Sequence, residues 1–190
     1  MSKTRIILTG AQGTGKTTIL NHYKEQGMNV ITEVVRNLAK EGVKINEMGN
    51  EEGQKKIFDT YKKLLGSKKS YMSDRGLTDV ASYTFYHATQ EVISKKFADS
   101  EYRQMLTFFK NNPDVIVCYF PIEFKVEDDG VRSTDEDFRA SIDFILKGML
   151  DSLGIHYVTI KGTVDERIKQ IDKVIADNEN ITFGIDVANM

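Results

Sequence analysis

The chain has 190 residues, with 26 Lys and Arg against 28 Asp and Glu for a formal charge of −2. That length suits one α/β domain with a small lid, and the charge argues against a non-specific nucleic-acid binder with a broad basic surface. The composition is that of an ordinary globular protein, no apolar run approaches the ~20 residues of a membrane span, and no signal segment precedes the first strand, so a cytoplasmic setting is expected. Cys118 is the single cysteine, which leaves no intrachain disulfide and is read as core packing. His22, His87 and His156 lie far apart and show no metal-ligand spacing.

In chain order, Ile6-Ile7-Leu8 predicts a first strand over 5–9. It runs directly into Gly10-Ala11-Gln12-Gly13-Thr14-Gly15-Lys16-Thr17, which fits G-x-x-x-x-G-K-[ST] without a mismatch, and a helix is predicted over 16–26. Glycines let the backbone wrap closely around phosphate oxygens. The amides then face the anion, and the helix N-terminus adds its partial positive charge. Lys16 reaches the β- and γ-phosphates, and the Thr17 hydroxyl is a magnesium ligand. The segment therefore predicts a nucleoside triphosphate site made by Gly10, Gln12, Gly13, Thr14, Gly15, Lys16, Thr17 and Thr18.

Further strands are predicted at 29–32, 71–73, 115–120 and 156–160, with helices at about 35–40, about 51–65, 78–87, 99–111, 135–153 and 164–177. In the longest of these, Ser133 and Glu136 stand in capping-box spacing, followed by a stripe of Phe138, Ile142, Ile145, Met149 and Leu153. Five strands alternating with helices imply a three-layer α/β/α fold on a mostly parallel five-stranded sheet. Its ligand cleft belongs at the carboxyl ends of the strands. The tail after Asn178 is read as either an added strand or a frayed end.

Residues that follow the strands are thus the candidates for chemistry. Glu33 and Arg36 follow the second strand, and Asp74-Arg75 the third. An acid there holds magnesium through its water shell and an arginine binds phosphate, while surface pairs and helix caps are the plain alternative. After the fourth strand, Glu127 to Ser133 and then Arg139 suggest an arginine-bearing lid at about 125–139, with Arg132 and Arg139 stabilising charge on a moving phosphoryl group. A solvated acidic loop is the plain reading of the same stretch. Gly162-Thr163, with Arg167 beyond, fits a turn over a purine ring, and Thr163 fits a helix N-cap equally well. Tyr83, Phe85 and Tyr86 are read as core, with an acceptor base or the partner subunit of a homodimer as alternatives.

Together these segments resemble the P-loop nucleoside and nucleotide kinases, nearest to the group of ribosylnicotinamide kinase and thymidylate-kinase-like proteins. The resemblance rests on Gly10 to Thr17, Ile31-Thr32-Glu33 with Arg36, Asp74-Arg75, Asp129-Gly130-Val131-Arg132-Ser133 with Arg139, and Gly162 with Arg167. It implies the P-loop fold, ATP with Mg²⁺ as donor, and a small nucleotide or nucleoside as acceptor. Lys16 and Thr17 would act on the donor, with Gly162 beside its base. Glu33, Arg36 and Arg75 would serve the acceptor, Thr17 and Asp74 the metal, and Arg132 and Arg139 the lid. One departure is a third strand, Tyr71-Met72-Ser73, more polar than the apolar run usual before the acid.

A nucleoside acceptor is a neutral hydroxyl that a carboxylate such as Glu33 would orient or deprotonate. A monophosphate is already anionic and wants arginines instead. The chain carries both kits, and arginines after two strands favour the monophosphate. A regulatory GTPase would need D-x-x-G, where Asp74-Arg75-Gly76-Leu77 brings its glycine one place early, and N-K-x-D, which is missing. A motor or remodelling ATPase would need an apolar strand ending Asp-Glu. An acceptor-independent ATPase or a nucleotide-sensing protein are the remaining alternatives.

Overall fold

In the computed structural model of the protein, residues 4–67, 69–125, 135–152 and 154–188 are described. Five strands, β1 (Arg5–Thr9), β2 (Val30–Ile31), β3 (Tyr71–Asp74), β4 (Val115–Tyr119) and β5 (Tyr157–Thr159), form one sheet in the order β2-β3-β1-β4-β5. Every pairing is parallel, with Leu8 opposite Asp74 on one side of β1 and Thr9 opposite Tyr119 on the other. The helices are α1 (Lys16–Glu25), α2 (Val34–Lys40), α3 (Glu51–Leu65), α4 (Leu77–Thr89), α5 (Lys95–Asn111), α6 (Glu136–Ser152) and α7 (Val164–Ala188). The expected three-layer α/β architecture is present.

Strand alternation distributes the core between two faces. Ile7, Tyr71 and Val115 meet side chains of α2, α3, α4, α5 and α6. Ile6, Leu8, Met72, Cys118 and Phe120 meet Ile19, Leu20 and Tyr23 of α1 and Ile171 of α7. Val117 and Tyr119 pack on Leu146 and Leu150 of α6. Cys118 is a core residue, and burial pushes its thiol up to about 12. Both sheet faces are covered, which is why β1 and β4 read as continuous apolar runs. Among the described residues no helix is long and apolar enough to cross a membrane.

Several element ends differ from the sequence reading, each for a local reason. β2 is shorter because Glu33 leaves the extended region at φ 59° and starts α2 at once. α5 begins at Lys95 rather than Asp99 because the Ser94 hydroxyl accepts the Phe97 amide at 3.2 Å, capping a turn that apolar spacing did not mark. The cap of α6 is Asp135, whose Oδ1 accepts the amides of Asp137 and Phe138, both at 2.9 Å, in place of the expected box on Ser133. Ser133, Arg132, Leu153 and positions 126–134 of the expected lid lie outside the described residues. The tail is neither an added strand nor a frayed end: α7 continues to Ala188, with no proline to turn the chain back toward the sheet.

On the helical face, Glu101 of α5 accepts the Thr84 hydroxyl at 2.7 Å, while its Oε1 has no partner among the described residues. Burial pushes its carboxyl up to about 8. With a folded value above the unfolded one, the protonated form favours folding. Stability is therefore full below about 4.5 and falls as pH rises toward about 8. Thermal melts across that window should show Tm falling with pH, and Glu101→Gln should flatten the slope; an unchanged slope in the variant would remove Glu101 as its source.

Candidate active site

The carboxyl ends of β1, β2 and β3 open on a cleft of about 440 Å³. Gln12, Gly13, Thr14, Gly15, Lys16, Thr17 and Thr18 of the loop line it together with Glu33, Arg36, Ile45, Asn46, Tyr61, Arg75 and Lys125. Asp74, at the end of β3, belongs to the same lining. Residues from Gln12 to Lys125, far apart in sequence, thus share one cavity.

The phosphate loop is fixed from beneath. At Gly10, φ is 143° and an added Cβ would lie 2.3 Å from the Phe120 carbonyl oxygen, so only glycine fits. The Gly10 amide donates to Asp79 Oδ1 at 3.1 Å. Thr9 Oγ1 and the Gly76 amide donate to Asp79 Oδ2 at 2.7 and 2.8 Å. Asp79 is buried on the first turn of α4 and ties together the end of β1, the start of the loop and the helix after β3. Burial pushes its carboxyl up, and the charges of Arg75 and Lys16 pull it back. The sequence reading overlooked Asp79, although an acid three positions after Gly76 is a helix-start signal.

Lys16 Nζ donates to the carbonyls of Gly10 and Ala11 at 2.8 and 2.7 Å and to Thr14 Oγ1 at 3.1 Å. Thr17 Oγ1 donates to Asp74 Oδ2 at 3.0 Å, bringing the two expected metal ligands together. That spacing fits neighbouring vertices of an oxygen octahedron with bonds of about 2.1 Å, the geometry magnesium demands.

The polar character of β3 now has a cause. Ser73 is fully buried and its hydroxyl donates to the Arg75 carbonyl at 2.7 Å, while the Tyr61 hydroxyl donates to the Asp74 carbonyl at 3.0 Å. These bonds hold Arg75 at φ 82°, a conformation a side chain disfavours. Its guanidinium lies over Tyr83 at 5.6 Å. Burial opposes that charge, but Tyr83, Asp79 and Asp74 outweigh it and hold Arg75 protonated. Tyr83, read from sequence as core, donates its hydroxyl to Gln12 Oε1 at 2.7 Å and so bridges the loop to the Arg75 side. Tyr86 does pack as core, edge-on to Phe138.

Glu33, also left-handed at φ 59°, pairs with Arg36 at 3.4 Å. Beyond them a small cavity of about 40 Å³ is lined by Val35, Ile45, Ile57, Val80, Asn46, Gln54, Arg75, Asp79 and Tyr83. Gln54 is only 2 % exposed; its backbone amide donates to the Asn50 carbonyl at 2.9 Å, and its side chain lines this cavity. Nothing in the sequence marks Gln54 or Asn46 as site residues. Asn46 is held by His87, whose Nε2 is 2.9 Å from its carbonyl oxygen.

Three expected site residues are not in the lining: Gly10, which sits beneath the loop at the end of β1, Arg139 and Gly162. Arg139 is not on the cleft surface. It is fully buried on α6 behind the loop, donating to the Gln12 and Gly13 carbonyls at 2.9 and 3.4 Å. Gly162 is also absent from the lining; its amide donates to Glu123 at 3.0 Å, and Glu123 in turn pairs with Arg167. Thr163 starts α7 as a cap, with its hydroxyl accepting the Glu166 amide at 3.4 Å.

A family model described as an AAA domain matches residues 5–167. No curated protein matches the sequence. Among solved structures, deoxyadenosine kinase from M. mycoides, with the products dCMP and a flexible dCDP bound, shares the fold at a TM-score of 0.62 and 15 % identity over 92 % of this chain and 99 % of that one. Thymidylate kinase from Candida albicans does so at 0.62 and 15 %, over 94 % and 93 %. NadR protein in complex with NR matches at 0.62 and 17 % over 90 % of this chain, which spans 50 % of the NadR chain. At such identities the likeness is one of fold, and it is the fold of the group that the sequence resembles.

Removing the Asp79 carboxylate strands three donors. Asp79→Ala should cost about 3 kcal/mol in urea unfolding, and a loss below about 1 kcal/mol would show that the junction holds without it.

Proposed function

The chain belongs to the AAA domain family, and on that premise we propose that it is a kinase transferring the terminal phosphoryl group of ATP to a nucleoside monophosphate. The observation that carries this reading is the shared cleft. A phosphate loop with its Thr17–Asp74 pair faces two guanidinium groups, Arg36 and Arg75, across one cavity. A donor needs only the first side, so the second is what an ATPase without an acceptor would lack. A remodelling ATPase is further disfavoured because β3 ends at Asp74 and is followed by Arg75 rather than by a second acid.

In this reading the loop amides and Lys16 take the β- and γ-phosphates. Thr17 and Asp74 would hold magnesium, which supplies neutralisation of charge on the phosphate oxygens. The acceptor phosphate lies against Arg36 and Arg75, and its heterocycle points toward Gln54 between Val35, Ile45, Ile57 and Val80. A side-chain amide, which carries both a donor and an acceptor, beside apolar side chains suits the edge of a base. An acceptor oxygen forms its bond to the γ-phosphorus as the bond to the β–γ bridging oxygen breaks and ADP leaves. Catalysis is then positioning and charge stabilisation.

A nucleoside acceptor is the second reading, favoured by Glu33. Its carboxylate is held at the cleft in a left-handed backbone conformation that costs roughly 1 kcal/mol, as a group oriented toward a hydroxyl would be.

A panel of nucleosides and nucleoside monophosphates assayed with ATP and magnesium tests the proposal. One acceptor should accelerate ADP release by orders of magnitude, whereas steady acceptor-independent hydrolysis would mark an ATPase. Lys16→Ala should abolish transfer with the fold retained by circular dichroism, and full turnover in that variant would contradict the donor assignment. Glu33→Gln should lower kcat mildly, about twofold to fivefold, with a phosphate acceptor and about a hundredfold with a hydroxyl acceptor. Equal losses with both would remove Glu33 as the discriminator.

A further inference from the structure

The carbonyl groups of five consecutive loop residues are all bound by cationic side chains. Lys16 takes those of Gly10 and Ala11. Arg139 takes those of Gln12 and Gly13 from α6, and Arg167 takes that of Thr14 from α7, at 2.7 Å. Both arginines are buried, with side chains 0 % and 3 % exposed. Each has one carboxylate partner, Glu136 for Arg139 and Glu123 for Arg167. Arg167 also lies between the rings of Phe120 and Phe124, at 5.5 and 5.1 Å.

We propose that Arg139 and Arg167 are positioning residues of the triphosphate site, acting through the loop backbone without touching the ligand; this rests on the reading that the loop takes a triphosphate. In a trans peptide the N–H points opposite the C=O, and no peptide here is cis. Holding the carbonyls of Gln12, Gly13 and Thr14 behind the loop therefore turns the amides of Gly13, Thr14 and Gly15 toward the cleft that those residues line. These three amides have no acceptor among the described residues. A guanidinium on each carbonyl also polarises the same peptide unit and strengthens its N–H as a donor. Since each guanidinium is paired with a carboxylate, Glu136 or Glu123, its effect on the loop is orientation and local polarisation rather than added net charge.

The loop sequence is fitted to this arrangement. At Gly15, φ is 84°, and an added Cβ would lie 2.8 Å from Arg167 Nη1. The glycine makes room for the arginine behind the loop as well as for a phosphate in front of it.

The test uses full-length protein with Arg139→Lys, Arg167→Lys and the double variant. Arg103→Lys, on the exposed face of α5, is the charge-matched control. Lysine keeps the charge and loses the planar fork. Calorimetric titration with inorganic tripolyphosphate and magnesium, below the melting temperature of each variant, should show Kd raised about tenfold for each single variant and more for the double one. Arg103→Lys should match wild type. In turnover, KM for ATP should rise while KM for the acceptor stays within twofold of wild type. Where a lysine variant does not fold, the glutamine variant takes its place with the same expected direction. Tripolyphosphate affinity within twofold of wild type in a folded variant overturns the proposal, as does a parallel rise in both KM values. Wild-type protein that binds tripolyphosphate but transfers nothing refutes the kinase reading and leaves this proposal standing. Wild-type protein that does not bind it refutes both.

Discussion

The cleft depends on how sharply the chain leaves β1. The Thr9 carbonyl still accepts the Phe120 amide at 2.8 Å, extending the β1–β4 ladder to its last residue. One residue later Gly10 passes so close to the Phe120 carbonyl that no side chain fits, and its amide turns to Asp79. Without that turn the loop would run on past β4, and neither Lys16 nor Thr17 would face the end of β3. Asp79, on the first turn of α4, is the counterpart beyond β3, since the same carboxylate takes the Gly76 amide at the start of that helix. One buried acid therefore sets the separation between the donor loop and the Asp74-Arg75 turn. Its charge is tolerated because three donors and two nearby cations replace the water it lost.

The sequence was legible wherever the signal is local or periodic. The phosphate loop, the parallel order and the pairing of Thr17 with Asp74 follow from a contiguous motif, from runs covered on both faces, and from the rule that ligands gather at strand ends. What could not be read depends on contacts between distant segments. Arg139 looks in sequence like a lid arginine because it follows an acidic, Gly-containing stretch, yet it reaches back to loop carbonyls 126 and 127 positions earlier. Gln54 and Asn46 carry no motif, and they become site residues only because α3 and the turn before it pack beside Arg75. Ser73 looked like a weakness in a strand and is the group that holds the next turn.

Backbone strain is concentrated in the same place. Four described residues other than glycine have positive φ: Glu33, Asn46, Arg75 and Glu91. Three of them line the cleft. Each such residue costs on the order of 1 kcal/mol or more and persists only where surrounding contacts fix it. Arg75 is fixed by Ser73 and Tyr61, Asn46 by His87, and Glu33 by the immediate start of α2. Side chains are thereby aimed across the cavity at angles that ordinary strand or helix geometry would not give. Such a set of costs is the expected mark of a site arranged before its ligand arrives.

Charge placement follows the same logic on the donor side. Burying a guanidinium is expensive, and a matched carboxylate would recover most of the cost while cancelling its field. Arg139 and Arg167 each have one carboxylate and otherwise donate to peptide carbonyls, which carry no net charge, while Arg167 Nε is buried without a partner among the described residues. Each guanidinium is therefore balanced by one carboxylate, and what it adds at the loop is the fixed orientation of the peptide units whose carbonyls it holds. Placing those charges on α6 and α7, with Lys16 on α1, means that three helices from both faces of the sheet must be docked before the loop takes its shape. The phosphate site is in that sense a product of the whole tertiary fold, although its eight-residue motif is the most local feature of the sequence.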